Sequence, residues 1–337
     1  MLQCQPVGVF VVNREGIEME ITHIIKQLIP SRLKRFIRRR TFPLYLIKEA
    51  NKRGLSLHNR GLFLEIVNDN NVIRISQDHL VYLYDIIISF DYYFRAVTPF
   101  FLSGMNIVDY SSPRYHDVVG FDAFPVMFPS FAEPVITAFQ YIEFAQLSLG
   151  MTVIDLGAYS GLTSILFSQA VGKQGSVVAV DPDPVNLHCI HRNISRYNKY
   201  QSSSIKIIEG AIWKHSNGID FSCEGNMGAS ASSIVGVNRG RISTVRSFTL
   251  SDIVNIAGLN AVDFIKCDVE GAESVVFEDR QFFNSFLPRI IVEPHIVDGR
   301  LSSDKIIADL SPYGYTCEII QQEGVKLPLL QCIPTKI

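Results

Sequence analysis

Residues 153–181, VIDLGAYSGLTSILFSQAVGKQGSVVAVD, constrain the fold of this chain more than any other stretch. Residues 153–156 are a short apolar run carrying one acid, Asp155. A glycine-bounded turn follows, Gly157-Ala158-Tyr159-Ser160-Gly161. Leu162, Ile165, Leu166 and Ala170 then recur at helical spacing. Gly172 and Gly175 end that helix, and residues 176–180 read as a second buried strand closing on Asp181. A strand, turn, helix, strand and acid in this order hold a nucleoside at the carboxyl ends of parallel strands. Asp181 stands about 20 residues beyond Gly161, the spacing at which a carboxylate reaches a ribose hydroxyl.

The turn also bears on which nucleoside is held. A dinucleotide site uses G-x-G-x-x-G so that backbone N–H groups can approach a pyrophosphate. Here the pattern is D-x-G-x-x-x-G, built on Asp155, Gly157 and Gly161. A carboxylate repels a pyrophosphate and attracts the ammonium of a methionine moiety. S-adenosylmethionine, a cation without phosphate, is therefore the expected ligand, with S-adenosylhomocysteine as product. A nicotinamide dehydrogenase is disfavoured by the same glycines. No Gly-Lys-Ser/Thr follows them, which excludes a P-loop.

The 337 residues suffice for one large domain with an N-terminal addition. We expect an extension over residues 1–125 and a ligand-binding domain over 126–337. Apolar residues make up 47% of the chain and charged ones 19%, the balance of a globular protein. A net charge of −2 gives no general attraction to nucleic acid. The cysteines are scattered without a C-x-x-C pair, so free thiols and a cytoplasmic location are expected. No signal peptide and no membrane-spanning run is expected.

Near the N-terminus, residues 10–12 suggest a strand. Residues 24–40 end in Arg32, Lys34, Arg35, Arg38, Arg39 and Arg40, a solvated helix end or a peripheral contact with an anionic membrane surface or an acidic partner. Residues 62–67 and 71–76 flank Asn68-Asp69-Asn70-Asn71 as a hairpin. Nearly half of the aromatic residues fall between Tyr82 and Phe144. Most should be core, and a few could line a pocket for a ring-bearing acceptor.

Further along, residues 133–146 read as a helix leading into the first strand of the sheet. Pro182-Asp183-Pro184 starts another, ending near Tyr197. Residues 205–209 form a third strand, after which Gly210 and Ala211 let backbone approach a ligand. Trp213 is expected in the core or a lid. Residues 217–248 suggest an inserted hairpin or flap, and 250–256 a helix capped by Thr249 or Ser251. Residues 262–268 and 289–293 are buried strands ending in acids. Residues 303–310 are a helix, and 316–320 and 326–332 an antiparallel pair closing the sheet.

With these residues in view the sequence resembles the FkbM family of S-adenosylmethionine-dependent methyltransferases. The likeness rests on VIDLGAYSG from Val153, VAVDPDP from Val178, FIKCDVEGAES from Phe264 and IIVEPHI from Ile290, with SFTLSDI from Ser247 where the family has a Thr-Leu-Asp-Asp run. It covers roughly residues 130–300. Tyr159-Ser160 departs from the family's Asn-Ile and should alter packing beside the methionine moiety. The resemblance implies a class I methyltransferase fold, a Rossmann-like seven-stranded sheet with helices on both faces and a reversed last strand, here with an α+β extension. It also implies methyl transfer to a hydroxyl of a sugar, polysaccharide unit or related small molecule.

In such a sheet Asp181 should accept ribose hydroxyls, and Asp155 should sit near the methionine amine, directly or through water. Gly157, Ala158, Tyr159, Gly161, Pro182, Gly210, Ala211 and Asp268 complete the expected cofactor contacts. Asp268 and Glu293 end neighbouring strands, with His295 two residues beyond. His295 or Glu293 is the expected general base and Asp268 an orienting group. Lys266 should pair with one of the acids. Glu270 and Glu273 favour the start of the following helix. A divalent metal on Asp268, Glu293 and His295 is considered but not favoured. An amine- or protein-directed transferase, or a non-catalytic binding protein, stays open as an alternative.

Overall fold

The expected strand–turn–helix–strand unit is formed by β8 (Thr152–Leu156), α5 (Leu162–Val171) and β9 (Ser176–Asp181). In this computed structural model residues 42–201, 204–223, 230–231, 241–297, 299–321 and 328–335 are described. The expected strand at residues 10–12 and the basic segment to Arg40 lie outside them.

Five further strands complete the main sheet: β10 (Ile205–Glu209), β14 (Phe264–Cys267), β15 (Arg289–Val292), β16 (Tyr315–Ile320) and β17 (Leu329–Pro334), in the order β10-β9-β8-β14-β15-β17-β16. The first five are parallel, and β17 runs antiparallel to both β15 and β16. This is the class I methyltransferase arrangement with its reversed last strand.

Side-chain alternation shows why both faces are covered. Ile154, Leu156, Val178, Val180, Ile265, Ile290 and Val292 pack in one apolar cluster with residues of α7 (Leu250–Ala257), α9 (Arg280–Phe283) and α10 (Ser303–Leu310). Their neighbours Val153, Val177, Phe264 and Ile291 point the other way, onto Phe167 and Val171 of α5 and onto Tyr141 and Ala145 of α4 (Val135–Ala145). The helix starts follow from local chemistry. Asp183 accepts from the N–H groups of Val185 and Asn186 to cap α6 (Pro184–Tyr197). Thr249 and Asp252 form a reciprocal capping box on α7.

The N-terminal part builds a second sheet from β1 (Ser56–Asn59), β2 (Phe63–Asn68), β3 (Asn71–Ser76), β4 (Phe100–Leu102) and β5 (Met105–Tyr110), in the order β1-β2-β3-β5-β4. The expected hairpin is β2–β3, with Asp69 at φ +46° in its turn. Two short helices, α2 (Leu83–Ile88) and α3 (Phe90–Ala96), and a hairpin of β6 (Arg114–Val118) and β7 (Phe121–Phe128) follow.

One apolar cluster runs from Leu64, Ile73 and Tyr110 through Phe128 and Phe131 to Ile165 and Ile190. Asn193 on α6 ties this part to the glycine turn. Its amide exchanges hydrogen bonds with the Met127 backbone at 2.8 Å and donates to the Ser160 carbonyl at 2.8 Å. The insertion after β10 contains β11 (Ile219–Cys223), β12 (Ser230–Ala231) and β13 (Arg241–Val245), paired around β11. Trp213 is core, packed beside Ala272. Among the described residues no helix is long and apolar enough to cross a membrane.

Candidate active site

A cleft opens at the carboxyl ends of the central strands, where parallel sheets of this kind bind ligands. Of the expected cofactor residues, Gly157, Tyr159, Asp181, Pro182, Gly210, Ala211 and Asp268 line it. Ala158 is core, and Gly161 packs on Ile190 of α6. Gly157 adopts φ +76°, and a Cβ there would lie 1.8 Å from the Asp268 carbonyl oxygen. Only glycine lets the turn lie against the end of β14. At Gly210 the crowding comes from Phe248 and the Arg246 carbonyl, so this glycine serves packing as well as the cleft.

Four of the five backbone donors of the turn are already spent inside the protein. Gly157 and Ala158 donate to the Val180 carbonyl at 3.0 and 3.1 Å, and Gly161 to that of Ala158 at 2.7 Å. Tyr159 N–H donates to Asp181 Oδ2 at 2.9 Å. Tyr159 itself sits at φ +53°, held by its phenol, which donates to the Phe131 carbonyl at 2.8 Å and lies 2.9 Å from Ser130 Oγ. The residue that departs from the family pattern thus anchors the turn to the segment before α4.

Asp181 also accepts from Asp183 N–H at 2.9 Å and from Asn186 Nδ2. Burial outweighs these donors and raises its pKa to about 7.

Asp155 was expected at the methionine amine. It is not among the residues lining the cleft. Its carboxylate is fully buried, accepts from Ser164 Oγ at 2.6 Å, and stands 3.5 Å from Lys266 Nζ. Lys266, opposite Asp155 in the β8–β14 register, donates to the Gly157 carbonyl at 2.7 Å and lies 3.7 Å from Asp268. Burial alone would lower the pKa of this ammonium, but the Asp155 and Asp268 charges raise it. The expected ion pair therefore exists, and it sets the height of the turn.

The carboxylate that does reach the cleft beside the turn is Glu133, which no motif marks. Ser160 Oγ donates to it at 3.2 Å, and burial, only partly offset by Lys266, raises its pKa to about 7. A lone acid before Pro134 carries no sequence signal. Tyr159 and Ser160 bring it into place through tertiary bonds.

After β14 the chain turns sharply, with Glu270 at φ +53° and Gly271 at φ +104°. Glu273 is fully buried and organises this loop, accepting from Val269 N–H at 3.0 Å and from Gly271 N–H at 2.9 Å. His295 Nδ1 lies 3.0 Å from Glu273, and its Nε2 lies 3.5 Å from Glu270 and 4.0 Å from Asp268. Burial would lower the imidazole pKa, but the hydrogen bond to Glu273 and the surrounding carboxylate charges raise it to about 11. These contacts favour the charged imidazolium over the neutral ring that could take a proton. Of the two expected bases, His295 or Glu293, this environment suits His295 less. Asp268, Glu273 and His295 also place one donor atom each within 4.8 Å of the others. That set contains Glu273 where Glu293 was expected.

Glu293 follows β15, its N–H donating to the Cys267 carbonyl at 3.0 Å. It lines a second cavity of about 110 Å³ together with Tyr92, Thr137, Tyr141 and Thr163, and Asp268 and Glu133 border this cavity as well as the first cleft. Burial and the Asp268 charge raise the Glu293 pKa to about 7. Proximity to Glu133 and Glu293 adds to burial in raising the Tyr92 phenol to about 12.

Residues 155–316 match the family model described as Methyltransferase FkbM domain. No curated protein matches the chain. Several solved structures are similar to it. The methyltransferase FkbM from Methylobacillus flagellatus KT is 15% identical with a TM-score of 0.38, over 76% of this chain and 55% of that one. The precorrin-6y C5,15-methyltransferase from Geobacter metallireducens GS-15 is 12% identical with a TM-score of 0.37, over 59% and 87%. A SAM dependent methyltransferase from Aquifex aeolicus is 13% identical with a TM-score of 0.33, over 58% and 87%.

Proposed function

We propose, from the premise that residues 155–316 match the FkbM methyltransferase family model, that this protein is an S-adenosylmethionine-dependent O-methyltransferase. Its acceptor would be a hydroxyl of a sugar, polysaccharide unit or related small molecule. The observation that carries the choice of cofactor is the state of the glycine turn. Its N–H groups at Gly157, Ala158, Tyr159 and Gly161 are all given to protein acceptors, so it offers no nest to a pyrophosphate. What faces the cleft instead is acid, Glu133 and Asp181. Those acceptors suit a cationic amino acid joined to a ribose.

In this reading Asp181 takes the ribose hydroxyls, and Glu133, not Asp155, pairs with the ammonium. The apolar residues Pro182, Ala211, Ile212 and Phe221 flank the adenine. The bound compound supplies an electrophilic methyl group on a sulfonium. The protein holds donor and acceptor about 3 Å apart and keeps water out. An aliphatic hydroxyl is a weak nucleophile, and Glu293 is the group placed to take its proton. With a pKa raised to about 7 it is partly ionised at neutral pH and still basic enough to help. Asp268 borders both cavities and orients the hydroxyl. His295 stays charged and secures Glu273, which shapes the loop between them.

The test is transfer of a labelled methyl group from S-adenosylmethionine to hydroxyl compounds of cell-envelope glycan and small-molecule extracts. Glu293→Gln should lower turnover by about 10²- to 10⁴-fold, the usual worth of a general base, with cofactor affinity unchanged. Equal turnover in the variant would remove Glu293 from the mechanism, and transfer only to amines would remove the hydroxyl acceptor.

A further inference from the structure

Glu133 and Asp268 are the two residues that border both the first cleft and the second cavity. Tyr92 borders the second cavity and a third, of about 220 Å³, whose wall includes Tyr82, Tyr93, Phe131 and Asp85. The three spaces form a sequence from the glycine turn out to the helices α2 and α3 of the N-terminal part.

We infer that the acceptor occupies the second and third cavities, and that this site admits uncharged acceptors and rejects acidic or phosphorylated ones. The inference rests on the reading of the first cleft as the methyl-donor site.

In-line displacement places the attacking oxygen on the far side of the methyl from its leaving group. A compound in the second cavity meets one in the cleft only across Glu133 and Asp268. The charge around the cavity is one-sided. Glu133, Asp268 and Glu293 face it, and Asp85 faces the space beyond. Among the described residues the one cation on the wall is Lys266, already engaged by Asp155 at 3.5 Å, Asp268 at 3.7 Å and the Gly157 carbonyl at 2.7 Å. An entering anion therefore meets acidic groups, ionised or part-ionised, with no free cation in the wall among the described residues, and like charges brought together are repelled strongly where water is excluded.

Hydroxyls at Tyr92, Thr137 and Thr163 offer neutral hydrogen-bonding partners. Tyr93 packs against Phe131 at 5.5 Å and edge-on against Tyr92 at 5.6 Å. These rings give the outer space flat apolar walls suited to a cyclic compound.

The inference is tested without knowing the acceptor, using donor analogues in which nitrogen replaces the sulfonium sulfur. The nitrogen carries a methyl group, or an arm ending in a glucosyl, glucuronyl or glucosaminyl ring. These three arms have the same size and differ in charge. By titration calorimetry the glucosyl arm should bind at least tenfold tighter than the methyl parent. The glucuronyl arm should bind at least tenfold weaker than the glucosyl. Thr137→Trp should cancel the glucosyl gain by filling the cavity while the methyl parent binds within twofold. If Thr137→Trp also loses the parent, Tyr92→Ala replaces it, with the same expected loss of the gain. The inference is overturned if the glucuronyl arm binds as tightly as the glucosyl or glucosaminyl arm, or if the glucosyl gain survives both substitutions. Failure of the methyl parent to bind wild-type protein would instead remove the donor-site reading, and this inference with it.

Discussion

Replacing His295 by Leu separates a structural imidazolium from a catalytic base. Glu273 is fully buried and would lose its one charged partner among the described residues, keeping the N–H donations of Val269 and Gly271. Removing one member of a buried pair costs about 3–5 kcal/mol, and losing a hydrogen bond to a charged group about 1.5–3. Because Glu273 retains its backbone donors, and Asp268 and Glu270 are part-exposed, the lower range applies, about 2–3 kcal/mol.

The pH dependence has a definite sign. The His295 pKa is raised from 6.5 to about 11 in the folded protein. Its contribution is therefore fully present below pH 6.5 and is lost as pH rises toward 11. Urea unfolding at pH 6, 8 and 10 should show the gap between wild type and His295→Leu largest at pH 6 and narrowing at each step.

The rate profile gives a second reading from the same variant. Glu293 supplies an ascending limb near pH 7, and the His295 charge helps ionise it. In His295→Leu the limb should persist and move to higher pH. A stability gap independent of pH, or disappearance of the ascending limb, would refute this account of His295.

Two further outcomes follow from the carboxylates. Glu133→Gln should weaken S-adenosylhomocysteine about tenfold or more, the worth of one charge-assisted hydrogen bond, and leave 5′-methylthioadenosine, which has no ammonium, unchanged in calorimetry. Wild-type turnover should rise with pH to a plateau above about pH 7 as Glu293 ionises, and Glu293→Gln should flatten that profile in the labelled-methyl assay.

What could be read from the sequence was local. Residues 152–181 and the helices at Pro184 and Leu250 fold as expected because each boundary is set by a neighbour in the chain: glycines at the turn, Asp183 and Pro184 at the next helix, Thr249 with Asp252 at a later one. The alternating apolar residues of β8, β9 and β14 fixed which faces the helices cover. The site was less legible because its charges come from separate segments. Glu133 reaches the cleft only through Tyr159 and Ser160. Asp155 had a partner visible in principle, since Lys266 lies opposite it in adjacent strands, but the strand order is needed to see this. His295 had the right residue type for a base, and three carboxylates gathered around it change its charge.

Titration of S-adenosylmethionine and of NAD into the wild-type protein and Asp181→Asn tests the central claim most directly. The account predicts saturable binding of S-adenosylmethionine by the wild type, no binding of NAD, and an affinity lowered about 10- to 100-fold in the variant. Binding of NAD in place of S-adenosylmethionine, or equal affinity with and without the Asp181 carboxylate, would contradict it.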